Sequence, residues 1–341
     1  MKILIVGPSW VGDSVMAQSL FKTIHSKFEA AVIDVLSPDW TINIFKRMDE
    51  VSETMLLPFN HGQVKLKERI RIGSDLKKKN YDQAIILPNS LKSSLVPFFA
   101  KIPLRTGWRG EMRYFLINDL RILNKDQLPR MVDRFVALAL GKQDSFPSLI
   151  PNPSLRVVKE NLLAVATKHS INLNEPLIAF CPGAEFGPSK RWPAEYFAEV
   201  ANEYLSKNWQ VLFLGSSNDI PVGLEIEERL GKHLGLFNLI GRTKIEDSID
   251  LISSSKLVLT NDSGLMHIAA SVGAKLVALF GPSSPAFTPP LSDIAKVLRK
   301  NEGYSKVRTG SGFQGYHQSL IDIKPEEVIE LLHKINSSSS L

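Results

Sequence analysis

Short apolar segments alternate with helical segments along the whole chain, and this alternation constrains the fold more than any other feature. The apolar segments are rich in Val, Ile and Leu and recur in both halves of the sequence. Strands that are apolar on both faces and separated by helices are typical of parallel sheets built from βαβ units. The sequence therefore predicts an α/β protein.

The predicted elements form two groups. The strands are 3–6, 31–36, 53–57, 83–87 and 104–106, then 177–180, 210–214, 236–239, 257–260 and 276–280. The helices are 14–28, 41–48, 68–79, 91–100, 194–206, 222–230, 246–253, 264–272 and 325–335. At about 100–200 residues per domain, 341 residues suggest two domains. We expect two Rossmann-like, doubly wound parallel-sheet domains facing a central cleft.

The domain boundary is predicted in a polar stretch at 168–176, which precedes the first strand of the second half. This gives an N-terminal domain over 1–170 and a C-terminal domain over 171–341. A further expectation is that the last helix packs back on the N-terminal domain.

The composition excludes several classes of protein. Cys181 is the single cysteine, so an intrachain disulfide and a Cys-rich zinc site are ruled out, which suits a reducing compartment. No apolar run reaches the roughly 18 residues that a bilayer crossing needs. The apolar N-terminus is too short for a signal peptide and is better interpreted as a buried strand. We expect a cytoplasmic protein.

Positive charge is concentrated in one region. The chain carries a net charge of +6, and residues 61–134 hold 16 basic and 7 acidic residues. Such a concentration predicts an anionic partner, for which a phosphorylated glycan or a lipid headgroup is suitable. Nucleic acid is less well supported, because few aromatics and no nucleic-acid-binding motif accompany the charges. For the run Lys77–Lys79, an ordinary solvated face is an equally good interpretation.

Candidate functional residues follow the strands, where open parallel sheets bind ligands. The first such loop runs from Gly7 to Asp13 and lacks the G-x-G-x-x-G pattern of dinucleotide-binding sites. Asp13 has two interpretations, a helix cap or a general base that takes a proton from an attacking hydroxyl. Its position alone favours the cap.

A second loop, 181–193, combines glycines with cations. Gly183 and Gly187 allow close backbone approach to a ligand, and Lys190 and Arg191 add positive charge. These features predict a phosphate site, with surface cations as the alternative. Trp192 is expected to belong to the core.

The third and most specific segment, 257–267, runs from a strand through Asp262 and Ser263 into a helix. Amides at a helix start and the helix dipole favour an anion there. Asp262 is expected to shape the turn or to bind a sugar hydroxyl. His267 lies four residues after Ser263, on the same helix face.

Weaker signals occur in other loops after strands. The loops at 214–219, 241–243, 87–93 and 106–113 supply polar or cationic residues, of which Asp219 is a candidate for holding a ribose. The histidines show no zinc-type spacing and the chain has no D-x-D motif, so no metal site is predicted. A diphosphate leaving group would be neutralised by helix amides with Lys190 or Arg191.

Together these loops resemble a known family. The segments GPSWVGD, LPNSLKS, TGWRGEMR, CPGAEFGPSKRWP and TNDSGLMH resemble the ADP-heptose:lipopolysaccharide heptosyltransferases of the GT-B fold. The resemblance covers nearly the whole chain. It implies an inverting, metal-independent transfer of L-glycero-D-manno-heptose from ADP-heptose to the first heptose of the Kdo–lipid A inner core. It also implies no cofactor, no nucleic acid and peripheral contact with the inner membrane surface.

The resemblance assigns roles to individual residues. It implies that Asp13 is the base, which reverses the interpretation from position alone, and that Lys190 binds the diphosphate. The N-terminal domain would bind the acceptor through Ser9, Trp10, Asn89, Ser90, Lys92, Arg109 and Arg113. The C-terminal domain would bind the nucleotide sugar through Gly183, Ala184, Ser189, Lys190, Gly215, Asp219, Thr243, Asp262, Ser263, Gly264 and His267. Ser263 stands where family members carry Thr, and both residues offer a hydroxyl.

Three other functions stay open at this point. The same type of enzyme could use another sugar nucleotide or another heptose as acceptor. The basic charge is compatible with a non-catalytic protein that binds anions or nucleic acid. A dehydrogenase is disfavoured by the missing glycine pattern.

Overall fold

The computed structural model describes residues 1–59, 62–141 and 143–338, and the chain divides into two compact units, Met1–Ser154 and Leu155–Leu341. The two residues on either side of the division are hydrogen-bonded to different units. The Ser154 carbonyl accepts a hydrogen bond from Gln18 within the first unit, at 2.9 Å. The Leu155 N–H donates to Ser271 within the second unit, at 3.1 Å.

The first unit alternates strands and helices. The strands are β1 (Lys2–Val6), β2 (Val32–Ser37), β3 (Val51–Leu56), β4 (Gln83–Ile86), β5 (Leu104–Trp108) and β6 (Asp119–Arg121). The helices are α1 (Val11–Met16), α2 (Gln18–Lys27), α3 (Asp39–Phe45), α4 (Leu66–Leu76), α5 (Leu95–Phe99) and α6 (Met131–Ala137). Short 3₁₀ turns at Lys77–Lys79 and Leu91–Ser94 extend α4 and precede α5.

The second unit repeats the pattern. Its strands are β7 (Leu177–Cys181), β8 (Gln210–Phe213), β9 (Leu236–Asn238), β10 (Leu257–Asn261), β11 (Leu276–Phe280) and β12 (Lys296–Arg299). Its helices are α7 (Lys159–Lys168), α8 (Ala194–Leu205), α9 (Ile220–Leu230), α10 (Ile245–Ser254), α11 (Gly264–Ser271), α12 (Gln318–Ile321) and α13 (Pro325–Ser337).

Both sheets have the same topology. In the described residues each sheet is six-stranded and its pairings are parallel, in the orders β3-β2-β1-β4-β5-β6 and β12-β11-β10-β7-β8-β9. Numbered within its own unit, each order is 3-2-1-4-5-6, which is the Rossmann order. The prediction of two Rossmann-like domains is therefore confirmed.

The central strands are buried because both faces are covered by helices. All residues of β7, β10 and β11 are buried. The core of the second unit contains Phe180 and Phe213, whose rings lie 5.6 Å apart. At about 25 cal/mol per Å² of buried apolar area, burial of such strands stabilises the folded unit.

The domain boundary differs from the sequence-based expectation. The predicted boundary after residue 170 lies later than the observed division, because α7 packs against α10 of the second unit. The last helix, α13, packs against α8 and β11 of its own unit. As an amphipathic helix it covers part of the second sheet, and its packing on the N-terminal domain stays a prediction.

Candidate functional site

The first unit presents Asp13 in the loop that follows β1. Asp13 is half-buried in the first turn of α1, and Trp10 occupies the N-cap position. A carboxylate in the first turn is favoured by the helix dipole. Asp13 therefore stands inside the helix rather than at the cap, with its side chain at the carboxyl end of the sheet.

The backbone around Asp13 is held by its neighbours. The Ser9 carbonyl accepts a hydrogen bond from the Trp40 indole at 2.7 Å, and the Ser14 hydroxyl donates to the Trp10 carbonyl at 2.9 Å. Trp10 itself is 50% exposed. The loop is therefore fixed while it displays an indole to solvent, which is a surface on which a sugar ring can stack.

Arg113 ties the loops after β4 and β5 together. Its guanidinium donates to the carbonyls of Pro88 and Trp108, both at 2.7 Å, and to the Ser93 hydroxyl at 3.1 Å. Only 1% of Arg113 is exposed, and burial lowers its pKa to about 10. Its predicted contact with an acceptor is therefore replaced by a role in positioning the 88–93 loop.

Other predicted acceptor residues stay accessible. Asn89 and Arg109 are exposed, whereas Ser90 and Lys92 are half-buried. Gly110 allows close approach of the two loops, since a Cβ there would lie 2.3 Å from the Asn89 carbonyl oxygen. Neighbouring strands β1, β4 and β5 thus bring most predicted acceptor residues to one sheet edge.

The basic region of the first unit does not form a single binding face. Lys77–Lys79 lie just before β4, at the amino end of the sheet, whereas the candidate loops lie at the carboxyl end. Arg69 is buried and donates to the Val64 carbonyl. Of the two interpretations of the lysine run, this position favours the solvated face.

In the second unit, Lys190 and Asp262 form an ion pair between the loops after β7 and β10. The Asp262 side chain is 6% exposed and the Lys190 side chain 22% exposed. Since β7 and β10 are adjacent strands, their loops meet at the carboxyl edge. The ion pair keeps a partly exposed cation at that edge, as the predicted diphosphate site requires.

Asn261 is a positioning residue that the sequence analysis missed. Its side-chain amide donates to the Pro182 carbonyl at 2.7 Å and accepts from the Trp192 N–H at 3.1 Å. Asn261 is fully buried, and so is Trp192, as predicted. An amide at the end of a buried strand was the available signal, but its partners Trp192 and Pro182 lie 69 and 79 residues away in sequence.

Asp219 is engaged by protein groups. Its carboxylate accepts from the Ser216 N–H at 3.0 Å and hydroxyl at 2.8 Å, and it pairs with Arg191 at 3.3 Å. A Cβ at Gly183 would lie 2.2 Å from the Asp219 carboxyl carbon. Gly183 is therefore needed to admit Asp219, which gives Asp219 a loop-positioning role instead of the predicted contact with a ribose.

The hydroxyl of Ser189 also forms a hydrogen bond within the protein. Its side chain is fully buried and its hydroxyl donates to the Val307 carbonyl. Its predicted contact with the donor is thereby replaced by a contact with the 305–308 segment. Ala184 is buried beside it.

The remaining predicted donor residues follow β8 and β9. The Gly241 N–H donates to the Gly215 carbonyl at 3.1 Å, which joins these two loops. Thr243 is half-buried, with its hydroxyl 3.3 Å from the Ser248 hydroxyl. These contacts extend the edge formed by the loops after β7 and β10.

The start of α11 supplies amides to the same edge. Ser263 is the N-cap residue and Gly264 begins the helix. Ser263 makes no side-chain cap hydrogen bond, and its hydroxyl lies 3.5 Å from the Thr260 hydroxyl, so the first helical amides are not capped by it. These groups and Lys190 form a place suited to an anion.

His267 lies one turn further along α11 and is 5% exposed. Burial lowers its pKa to about 4, despite the opposing effect of Asp262. The imidazole is therefore uncharged at neutral pH and adds no positive charge to this edge. Burial likewise raises the pKa of Cys181 to about 12, so this thiol is not a nucleophile.

Within the described ranges, no group of three or more His, Cys, Asp or Glu side chains is arranged to hold a metal ion. None of the helices in the described part of the chain combines the length and apolarity that a bilayer crossing requires.

Two Rossmann-like units, each with polar loops at the carboxyl ends of its central strands, define a protein of the GT-B class of glycosyltransferases. Residues 69–317 match glycosyltransferase family 9 (heptosyltransferase), and the chain belongs to this family. It is therefore a glycosyltransferase.

Similar proteins extend over the full length. The chain is 49% identical over 348 residues to lipopolysaccharide heptosyltransferase 2 of Salmonella typhimurium, with 100% of both chains covered. It is 47% identical to the protein of that name from Escherichia coli K12, with 98% of each covered. The solved structure of the E. coli ADP-heptose LPS heptosyltransferase II superposes with a TM-score of 0.91 at 45% identity, with 98% of each chain covered.

Proposed function

We propose that this enzyme transfers L-glycero-D-manno-heptose from ADP-heptose to the first heptose of the lipopolysaccharide inner core, with inversion at the anomeric carbon. The observation that carries the reaction type is the cation-and-amide edge of the second unit, formed by Lys190, Asp262 and the start of α11. The choice of donor and acceptor is supported by the names of the full-length relatives.

The chemistry needs one base and one stabilised leaving group. The acceptor hydroxyl oxygen attacks the anomeric carbon of the donor heptose and its proton passes to the Asp13 carboxylate. The bond between the anomeric carbon and the β-phosphate oxygen breaks, and ADP leaves with the electron pair. A single displacement inverts the anomeric centre, so a second carboxylate is not required.

The second unit would hold the departing ADP. Lys190 and the first amides of α11 would face the β-phosphate oxygens, on which negative charge develops as the bond breaks. Preorganised donors of this kind contribute more to a transition state than to a ground state. In this proposal the protein supplies the neutralising charge and no metal ion takes part.

The acceptor would bind to the first unit through the exposed Asn89 and Arg109 and the half-buried Ser90 and Lys92. Inner-core lipopolysaccharide is anionic, and Arg109 offers a charge-assisted contact. Trp10 would stack on the sugar next to Asp13. Arg113 would act by keeping the 88–93 loop in place.

We further propose that the loop after β5 touches the inner membrane surface on its cytoplasmic side. Met112 is 83% exposed, Phe115 92% exposed, and Tyr114 lies between them. Amphipathic aromatics beside an arginine suit the interface of an anionic bilayer. Contact there would bring the lipid-anchored acceptor to Arg109.

The experiment that tests the function is incubation of the enzyme with ADP-heptose and heptosylated Kdo–lipid A, followed by mass analysis of the product. The expected result is a single added heptose and one ADP released per transfer. A parallel incubation with Kdo–lipid A that lacks heptose separates the proposed acceptor from an earlier one. Transfer to that truncated acceptor, or transfer from another sugar nucleotide, would instead support a related glycosyltransferase.

A further inference from the structure

A segment far along the chain lies across the candidate donor site, and its contacts define it. The Ser305 N–H donates to the Pro282 carbonyl, which follows β11, at 2.8 Å. The Arg308 carbonyl accepts from the Ser189 N–H, which follows β7, at 3.1 Å. We call residues 305–308 the strap.

The strand order of the second sheet places the strap across the turn that follows β10. β10 lies between β11 and β7 in the second sheet. A segment anchored after β11 at one end and after β7 at the other must cross the end of β10. The turn at the end of β10 holds Asp262 and the start of α11.

The close approach of the strap depends on glycine. Gly187 has a φ of +142°, and a Cβ there would lie 2.5 Å from the Arg308 carbonyl oxygen. Any larger residue would push the strap away from the β7 loop. The Ser189 hydroxyl adds a second anchor at Val307. The position of the strap is thus determined by its backbone, not by the Arg308 side chain.

The strap brings a second cation to the Phe186 ring, which Lys190 also contacts. The Lys190 ammonium lies 5.4 Å from the centre of the Phe186 ring, and the Arg308 guanidinium lies 5.6 Å from the same centre. Cations at such distances are attracted to an aromatic ring. Lys190 is paired with Asp262. Within residues 1–59, 62–141 and 143–338, no carboxylate pairs with Arg308.

We propose that Arg308 is a donor-binding residue that contacts the diphosphate of the nucleotide sugar together with Lys190. Asp262 offsets the charge of Lys190, so a diphosphate held at this edge needs a further cation. A guanidinium matches phosphate oxygens through two parallel hydrogen bonds. This inference rests on the proposed function, because it takes a nucleoside diphosphate as the ligand of the second unit.

The test is calorimetric binding of ADP, pyrophosphate and adenosine to the wild-type enzyme and to Arg308→Ala, Arg308→Gln and Arg308→Lys. We expect Arg308→Ala and Arg308→Gln to weaken the binding of ADP and of pyrophosphate by about tenfold or more. Hydrogen bonds between charged groups are stronger than those between neutral groups, and both variants remove the charge. Adenosine binding should be unchanged. Arg308→Lys should recover part of the loss.

Lys306→Ala is the matched control, because Lys306 is exposed on the same strap but does not stack on Phe186. It should leave ADP binding within a factor of about two. The melting temperature of Arg308→Ala should equal that of the wild type, since the strap is anchored by main-chain groups.

Three results would overturn the inference: unchanged ADP binding in Arg308→Ala, an equal loss of ADP and adenosine, or equal effects of the Gln and Lys variants. A wild-type enzyme that does not bind ADP contradicts the proposed function instead. In that case, the binding of pyrophosphate to the wild type and to the Arg308 variants tests separately whether Arg308 contacts a diphosphate. A wild-type enzyme that binds neither ADP nor pyrophosphate would contradict both proposals.

Discussion

The two units have the same strand order, but different side chains join the loops at the carboxyl ends of their strands. The joining side chain is a cation in the first unit and a carboxylate in the second. In the first unit a buried cation, Arg113, connects the loops after β4 and β5. In the second unit, buried Asp262 and Asp219 connect the loops and leave Lys190 partly exposed. The residue that joins the loops therefore determines which charge is left for a ligand.

The proposed function assigns a different role to each unit of the same topology. A unit whose loops are held by an arginine can present a carboxylate such as Asp13 to a hydroxyl. A unit whose loops are held by carboxylates can present a lysine to a diphosphate. Four variants test the comparison, beginning with the largest expected effect.

Asp13→Asn should lower kcat by about 10²–10⁴-fold, the usual contribution of a general base. The amide keeps the shape of the side chain but cannot accept the proton, so ADP binding should be unchanged. Turnover by mass analysis and ADP binding by calorimetry measure the two effects. Asp39→Asn, an exposed carboxylate in the first turn of α3, should retain full activity. An active Asp13→Asn enzyme would remove Asp13 as the base.

Arg113→Ala should lower the free energy of unfolding by about 2–4 kcal/mol, because several buried carbonyls lose their donor. Urea unfolding measures the change. Arg113→Lys should recover little, since an ammonium cannot make the forked contacts. Arg109→Ala is the exposed control and should change stability by less than about 0.5 kcal/mol while raising the KM for the acceptor. Equal stability of the Arg113 and Arg109 variants would contradict the assigned roles.

Lys190→Ala should weaken ADP binding about ten- to a hundredfold, because it removes a charge-assisted contact and leaves Asp262 unpaired. The double variant Lys190→Ala/Asp262→Asn separates the two causes, since it removes the unpaired carboxylate. Recovery of affinity in the double variant would mean that repulsion from Asp262 dominates. Lys207→Ala, which removes an exposed cation paired with Glu203, should bind ADP like the wild type.

The last prediction concerns the stability of the second unit on acidification, where the full effect is reached only at the acid end of the range. Burial holds the pKa of His267 at about 4, whereas an unfolded histidine titrates near 6.5. Between these values the unfolded chain binds more protons, so stability falls as pH falls, by up to roughly 3 kcal/mol. His267→Gln should flatten this slope in urea unfolding from pH 7 to 4, and the exposed His333→Asn should not. An unchanged slope in His267→Gln would contradict the burial effect.

The central architecture could be predicted because buried parallel strands are apolar on both faces. Strands such as β7 and β10 can be recognised in the sequence without knowing which strands lie beside them. The sixth strand of each sheet was missed, since Asp119–Arg121 is short and polar and Lys296–Arg299 is partly exposed. Neither segment is apolar on both faces, so its pattern resembles that of a loop.

The candidate site was predictable in part. The loops containing Asp13, Lys190 and Asp262 were found because each follows a predicted strand. Arg113, Asp219 and Ser189 were predicted to bind ligands, although their hydrogen-bond partners in the structure are other groups of the protein. Sequence cannot distinguish a polar side chain that contacts a ligand from one that contacts a distant carbonyl, as Ser189 does with Val307.

Burial of Cys181 has a practical consequence. The chain has one thiol, and it is enclosed at the end of β7 with a pKa of about 12. A cysteine introduced at Lys306 or Met112 would therefore be labelled selectively without any replacement of the native residue. A fluorophore at Lys306 would report on nucleotide binding beneath the strap, and one at Met112 would report on contact with lipid vesicles.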